Sequence, residues 1–239
     1  FISIQGLSPF YKSVAIEFGS AFHVYIKWLT KGSSHEESLF KAITYYSEQE
    51  LEIDVREFRT ATLLAKACNE YYEQVWKFDT FKILKDKTGE ALVEKTFAFP
   101  IYISEQLEIL LTGTIDAIGT QEGLVTGLDR KTTAIWNIEE YLRLYQLSSQ
   151  LMFYNVACKL VGFDFWNTMS WRIDGIFLRK DKVEFRRSEP IFFSEKQLAI
   201  FERHIRSIVH VIAHRVETSS DFDENFLCCD NSKYDAEKV

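Results

Sequence analysis

The sequence predicts a mixed α/β fold, with helices first and a sheet with flanking helices behind them. Three observations predict it. Apolar residues recur at helical spacing over the first third of the chain. Segments rich in β-branched and aromatic residues, punctuated by glycine, follow between Glu90 and Lys131. The remainder reads as helix, strand pair, helix, an order that packs into layers around one sheet.

Val14, Phe18, Phe22, Tyr25 and Leu29 form one helical stripe, so the first helix is expected over Val14–Thr30. Gly32 ends it. Ser33 and Ser34 are candidate caps for a second helix to about Ser47. After an acidic stretch at 48–54, a third helix is expected from about Asp54 to Phe78. Strands are expected over Glu90–Ile103, Ile109–Ile118 and Gly123–Lys131, separated at Gly89, Gly119 and Gly123. Trp136–Val161 reads as a long helix bounded by Gly162. Thr168–Leu178 and Lys182–Arg187 read as a hairpin turning at Arg179–Asp181, and Ser194–Glu217 as a last helix. Residues 1–218 are read as one domain, with a helical lobe over 1–80 and a sheet core over 81–218. A polar tail occupies 219–239.

The 239 residues are 46% hydrophobic and 15% aromatic, enough for one well-buried domain. There is no run of 18 apolar residues to span a membrane and no signal-peptide pattern near the start. The chain begins at Phe1, so a longer native protein is expected. Cys68, Cys158, Cys228 and Cys229 show no C-x-x-C spacing, which favours a reducing, cytoplasmic setting, that of a host cell if the protein is phage-encoded. The net charge of −7 argues mildly against a charge-driven nucleic-acid binder. Against that stand two local basic sets: Arg172, Arg179, Lys180, Lys182, Arg186 and Arg187 on the hairpin, and Arg203, Arg206 and Arg215 with His204, His210 and His214 on the last helix. Solvated surfaces explain them equally well.

The chemistry concentrates between Gly113 and Lys131. Asp129–Arg130–Lys131 is the chain's single acid–x–lysine triplet. Chance supplies about one in a chain this long, so alone it also fits a strand-end salt bridge. Strand alternation puts Val125, Gly127, Asp129 and Lys131 on one face and Leu128 and Arg130 on the other. Asp116 shares a face with Thr112 and Thr114 on the preceding strand, and slack in the Gly119–Gly123 turn decides whether it reaches Asp129. If it does, two carboxylates and the Arg130 carbonyl offer oxygen ligands to Mg²⁺ or Mn²⁺. Lys131 would then position the attacking water and offset charge on a phosphate.

Three further features bear on that spot. Gln150 and Tyr154, four apart, are neighbours on one helix face and form either a polar stripe or a pair facing the site. His23, beside the apolar stripe of the first helix and four residues after Gly19, is either a boundary histidine or an imidazole metal ligand. Glu94 is either a ligand or half of a cross-strand ion pair.

FGSAFH (Phe18–His23), VEKTF (Val93–Phe97), GTID (Gly113–Asp116), LDRKT (Leu128–Thr132) and QLMFY (Gln150–Tyr154) stand in an order that resembles RecB-like nucleases of the PD-(D/E)XK superfamily. That group includes helicase-associated nuclease domains, phage exonucleases and CRISPR-adaptation nucleases, and the resemblance covers roughly residues 6–215. It implies a restriction-endonuclease-like core: a central mixed sheet flanked by helices, with an N-terminal helical lobe. It implies divalent-metal-dependent cleavage of DNA, single-stranded or at duplex ends, in recombination, repair or phage DNA processing, with a helicase or recombination protein as partner. His23, Asp116, Asp129 and the Arg130 carbonyl are then metal ligands, Lys131 the catalytic lysine, and Gln150 and Tyr154 the supporting motif. Many such relatives hold an iron–sulfur cluster on four cysteines. Ile4–Ser13 looks like the segment after the first of these, but the tail offers only Cys228 and Cys229, so no cluster is expected in this chain. The competing reading is a non-catalytic nuclease-like module that binds DNA ends or a partner protein.

Overall fold

The computed structural model describes residues 12–49, 51, 56–105 and 107–218. The segment Ile4–Ser13, apart from its last two residues, and the tail with Cys228 and Cys229 lie outside them.

Three helices come first, α1 (Val14–Thr30), α2 (His35–Ser47) and α3 (Ala61–Gln74), followed by a 3-10 turn at Trp76–Phe78. Each of the latter two helices starts where a side chain replaces a missing backbone acceptor. The Ser34 hydroxyl accepts from the Glu37 N–H and the Thr60 hydroxyl from the Leu63 N–H. The Thr60 cap corrects the expected start near Asp54: the described helix begins at Ala61.

The sheet comprises β1 (Lys82–Ile83), β2 (Val93–Ile103), β3 (Glu108–Gln121), β4 (Leu124–Thr133), β5 (Ser170–Leu178) and β6 (Val183–Arg187). The strand order is β1-β3-β4-β5-β6, with β2 also paired to β3. All pairs are antiparallel except β4–β5. β1 has no counterpart among the expected strands, because two residues carry no periodicity.

The long helix expected over Trp136–Val161 is instead two helices, α4 (Ile138–Arg143) and α5 (Ser149–Leu160), joined by a 3-10 turn at Leu144–Leu147. Ser148 causes the break. Its backbone leaves the helical region (φ −64°, ψ 116°) and its hydroxyl accepts from the Leu151 N–H, so a new helix starts there. α6 (Glu195–Thr218) closes the described chain. No helix among the described residues is long and apolar enough to cross a membrane.

Alternation along β5 divides the core into two layers. Ile176 and Leu178 join Phe18, Phe22, Tyr25, Leu64 and Tyr71 from α1 and α3. Trp171, Ile173 and Phe177 join Leu151 and Tyr154 of α5 and Leu198 of α6 on the other face. Each such fully buried side chain contributes about 1.5–3 kcal/mol, so the helices on both faces hold the mixed sheet between them.

α1 approaches the sheet closely at one point. A Cβ at Gly19 would lie 3.0 Å from the Thr132 hydroxyl of β4, so glycine is the residue that lets the helix settle there. His23 lies one turn further along α1, over the end of β4.

Candidate active site

The hairpin between β3 and β4 fixes the two aspartates. Gln121 pairs with Leu124, leaving Glu122 and Gly123 as a two-residue turn with positive φ of 53° and 80°. Both central residues then occupy the left-handed region of a type I′ turn, whose twist suits a tight hairpin. The turn has no slack, and pairing runs in register to Ala117 opposite Leu128. Asp116 and Asp129 are the next residues on the two strands.

From there the strands are locked by a side chain. Asp116 Oδ2 accepts from the Arg130 backbone N–H at 2.7 Å. The regular alternation of β3 breaks around this point, since Ile115 and Ile118, three apart, pack into the same core layer. Opposite on β2, Val93 pairs with Ala117 and Lys95 with Ile115. Glu94, between them, takes φ +48°. A non-glycine residue held there stores about 1–3 kcal/mol of strain, and such residues cluster at functional sites.

That strained backbone brings Glu94 to His23. His23 Nδ1 lies 3.7 Å from Glu94 Oε1 and 3.6 Å from Asp116 Oδ2. Ligand atoms of His23, Glu94 and Asp116 all fall within 4.8 Å of one another. On the other side of the ring, Nε2 is 3.2 Å from the Arg130 carbonyl. A carbonyl only accepts, so Nε2 carries the proton in that contact, and Nδ1, facing the two carboxylates, is the nitrogen open to a second proton or to a metal ion. Burial opposes protonation of this imidazole, but Asp116 and Glu94 outweigh it and raise its pKa above the ordinary value.

Asp129 and Lys131 pair beside this group. Lys131 Nζ is 3.1 Å from Asp129 Oδ1 and 3.0 Å from Oδ2, and Oδ2 has no hydrogen bond of good geometry. Burial, then the Asp116 charge, push the Asp129 carboxyl up to about 6, against the pull of Lys131. The Arg130 side chain points to the opposite face, buried against Tyr71 and Asp174.

Gln150 and Tyr154 are hydrogen-bonded to each other, Gln150 Nε2 donating to the Tyr154 hydroxyl at 2.8 Å. The Tyr154 ring packs on Trp171; burial raises the pKa of its hydroxyl most, and the charges of Asp129, Asp116 and Glu94 add to that. Of the expected ligand side chains, His23 and Asp116 therefore meet, while Asp129, paired with Lys131, lies outside the group whose ligand atoms fall within 4.8 Å of one another. Glu94, which the resemblance did not place among the metal ligands, is brought into the His23–Asp116 cluster.

The fold is similar to that of a crystal structure of a protein from Eubacterium rectale provisionally named an exonuclease. The two share 15% sequence identity and a TM-score of 0.51 over 97% of this chain and 77% of that one. No curated protein matches the sequence significantly. The family model of the PD-(D/E)XK nuclease superfamily matches residues 3–231. The chain belongs to the PD-(D/E)XK nuclease superfamily.

In this PD-(D/E)XK nuclease superfamily member, His23, Glu94 and Asp116 form a candidate group for a divalent cation. Two ligands each about 2.1 Å from one ion lie at most about 4.2 Å apart, and the 3.6 and 3.7 Å separations around His23 Nδ1 satisfy that limit. Carboxylate oxygens suit Mg²⁺ or Mn²⁺, and the imidazole leans the set toward the transition metal. The His23–Arg130 bond is the kind of support that orients a metal-binding imidazole. Two contributions to this candidate site had faint sequence signals or none: the glycine at 19, and the main-chain N–H of Arg130, which holds Asp116.

Proposed function

We propose that this chain is a divalent-metal-dependent deoxyribonuclease, working as an exonuclease in recombination, repair or phage DNA processing alongside a helicase or recombination protein. The observation that carries the reading is the convergence of His23, Glu94 and Asp116 beside the Asp129–Lys131 pair. In this reading His23, Glu94, Asp116 and Asp129 hold Mg²⁺ or Mn²⁺, while the Arg130 carbonyl, expected as a ligand, is engaged by His23 Nε2 and orients the imidazole instead. The bound ion supplies Lewis-acid polarisation of the phosphate and a more acidic water.

The chain's own groups do the rest. Water adds its oxygen to phosphorus, the bond to the leaving sugar oxygen breaks, and the water proton passes to solvent or to that oxygen. An ammonium has three N–H donors. With Asp129 engaged, Lys131 retains donors for a phosphate oxygen or the attacking water, and its charge offsets that of the transition state. Tyr154, held by Gln150, borders the acidic group and limits where the scissile phosphate sits.

The test is digestion of single-stranded and duplex DNA with Mg²⁺ or Mn²⁺, with Asp129→Ala and Lys131→Ala as controls. Metal-dependent cleavage lost in both variants is the expected result. Absence of cleavage in any metal, or cleavage unchanged in both variants, overturns the proposal.

A further inference from the structure

We infer that Trp136 is a stacking platform that selects a single-stranded DNA end for the site, an inference that rests on the nuclease reading. β4 and β5 run parallel, with Thr133 beside Phe177. Ligands of α/β sheets gather at the carboxyl ends of parallel strands. Trp136 follows that end of β4, five residues after Lys131, so the two Cα atoms are at most about 18 Å apart.

At 80% exposure Trp136 is the most exposed large apolar side chain among the described residues. A lone exposed apolar residue needs no explanation, but this one is held in place. Arg179, just past the end of β5 and only 6% exposed, sits with its guanidinium 4.5 Å from the centre of the Trp136 ring. The same guanidinium donates to the carbonyls of Ile135 at 2.9 Å and Trp136 at 3.5 Å. A buried cation therefore fixes both the backbone and one face of the ring, and the other face is left to water.

The charge of the hairpin gives this chain little hold on DNA. The net charge is −7, and four of the six hairpin cations are engaged: Arg172 with Glu122, Lys182 and Arg179 with Glu184, and Arg187 with Asp79 and Asp174. Base–aromatic stacking tolerates any sequence and needs no net charge. It does need an unpaired base, because the faces of bases inside a duplex are already covered.

The test measures binding without turnover, by anisotropy of labelled oligo(dT) and of a blunt duplex in EDTA, with thermal melts as folding controls. Trp136→Ala is expected to weaken oligo(dT) binding about tenfold or more and duplex binding by less than about twofold. Trp136→Phe is expected to keep most of the affinity, and Leu147→Ser, which alters another exposed apolar residue, to keep all of it. Unchanged oligo(dT) binding in Trp136→Ala, or equal loss on both DNAs, makes Trp136 a cover for Arg179 and overturns the inference. Equal loss in Leu147→Ser assigns the surface to apolar contact with a protein and also overturns it. Trp136-dependent binding in a protein that cleaves no DNA sinks the nuclease reading alone. Cleavage with no Trp136 dependence sinks the platform alone.

Discussion

The ring of His23 is oriented by Arg130, whose carbonyl lies 3.2 Å from Nε2 and leaves Nδ1 facing Glu94 and Asp116. The backbone N–H of the same residue holds Asp116 at 2.7 Å. One peptide segment thus positions a nitrogen and an oxygen donor from different elements. His23→Ala is expected to lower Mn²⁺ affinity tenfold or more by calorimetry, since even supporting groups at metal sites are worth about 10–100-fold. Unchanged affinity would remove His23 from the ligand set.

Glu94 predicts opposite effects on stability and on binding. Its φ of +48° is one that glycine adopts without cost. Glu94→Gly should therefore raise the metal-free stability by about 1 kcal/mol while weakening Mn²⁺ binding. Glu94→Ala should weaken binding without the gain in stability. If Glu94→Gly melts lower than the parent in EDTA, the strain is not stored there.

The approach of α1 to β4 has its own test. Gly19→Ala places a Cβ 3.0 Å from the Thr132 hydroxyl and should lift the helix that carries His23. Metal affinity should fall by several-fold, and Thr132→Ala in the same protein should restore it. Failure of the second substitution to rescue would show that the contact does not set the position of His23.

Away from the site, Arg187 clamps two carboxylates. It donates to both oxygens of Asp174 at 2.5 and 2.7 Å and to both of Asp79 at 2.8 Å. This ties the segment after α3 to β5 and β6. Burial works against ionisation of Asp79, but the Arg187 hydrogen bonds and charge prevail and lower its pKa from the ordinary 3.8. A carboxylate depressed in the folded state stabilises above its unfolded pKa and loses that contribution as pH falls through its folded pKa. Asp79→Asn should therefore cost most at neutral pH, about 1–3 kcal/mol for a half-buried clamp, and progressively less below about pH 4. A pH-independent difference in urea midpoints would contradict this.

The sequence by itself determined most of the order of elements and named most of the candidate site residues. The stripe from Phe18 to Leu29, the glycine at 123 and the alternation of Asp129 with Lys131 are local signals, and the structure follows them. The split of the long helix at Ser148 was legible in principle, because serine there is a cap signal inside a helical pattern. Tertiary structure alone decided the rest. Whether Asp116 reaches Asp129 depended on the turn closing with two residues and on the Arg130 N–H taking the carboxylate. The place of Glu94 depended on a left-handed backbone that strand periodicity does not encode. Periodicity fixes the face on which a side chain emerges. Distances between residues as far apart as His23, Glu94 and Asp116 are fixed only when helix and sheet pack, here through the contact of Gly19 with Thr132.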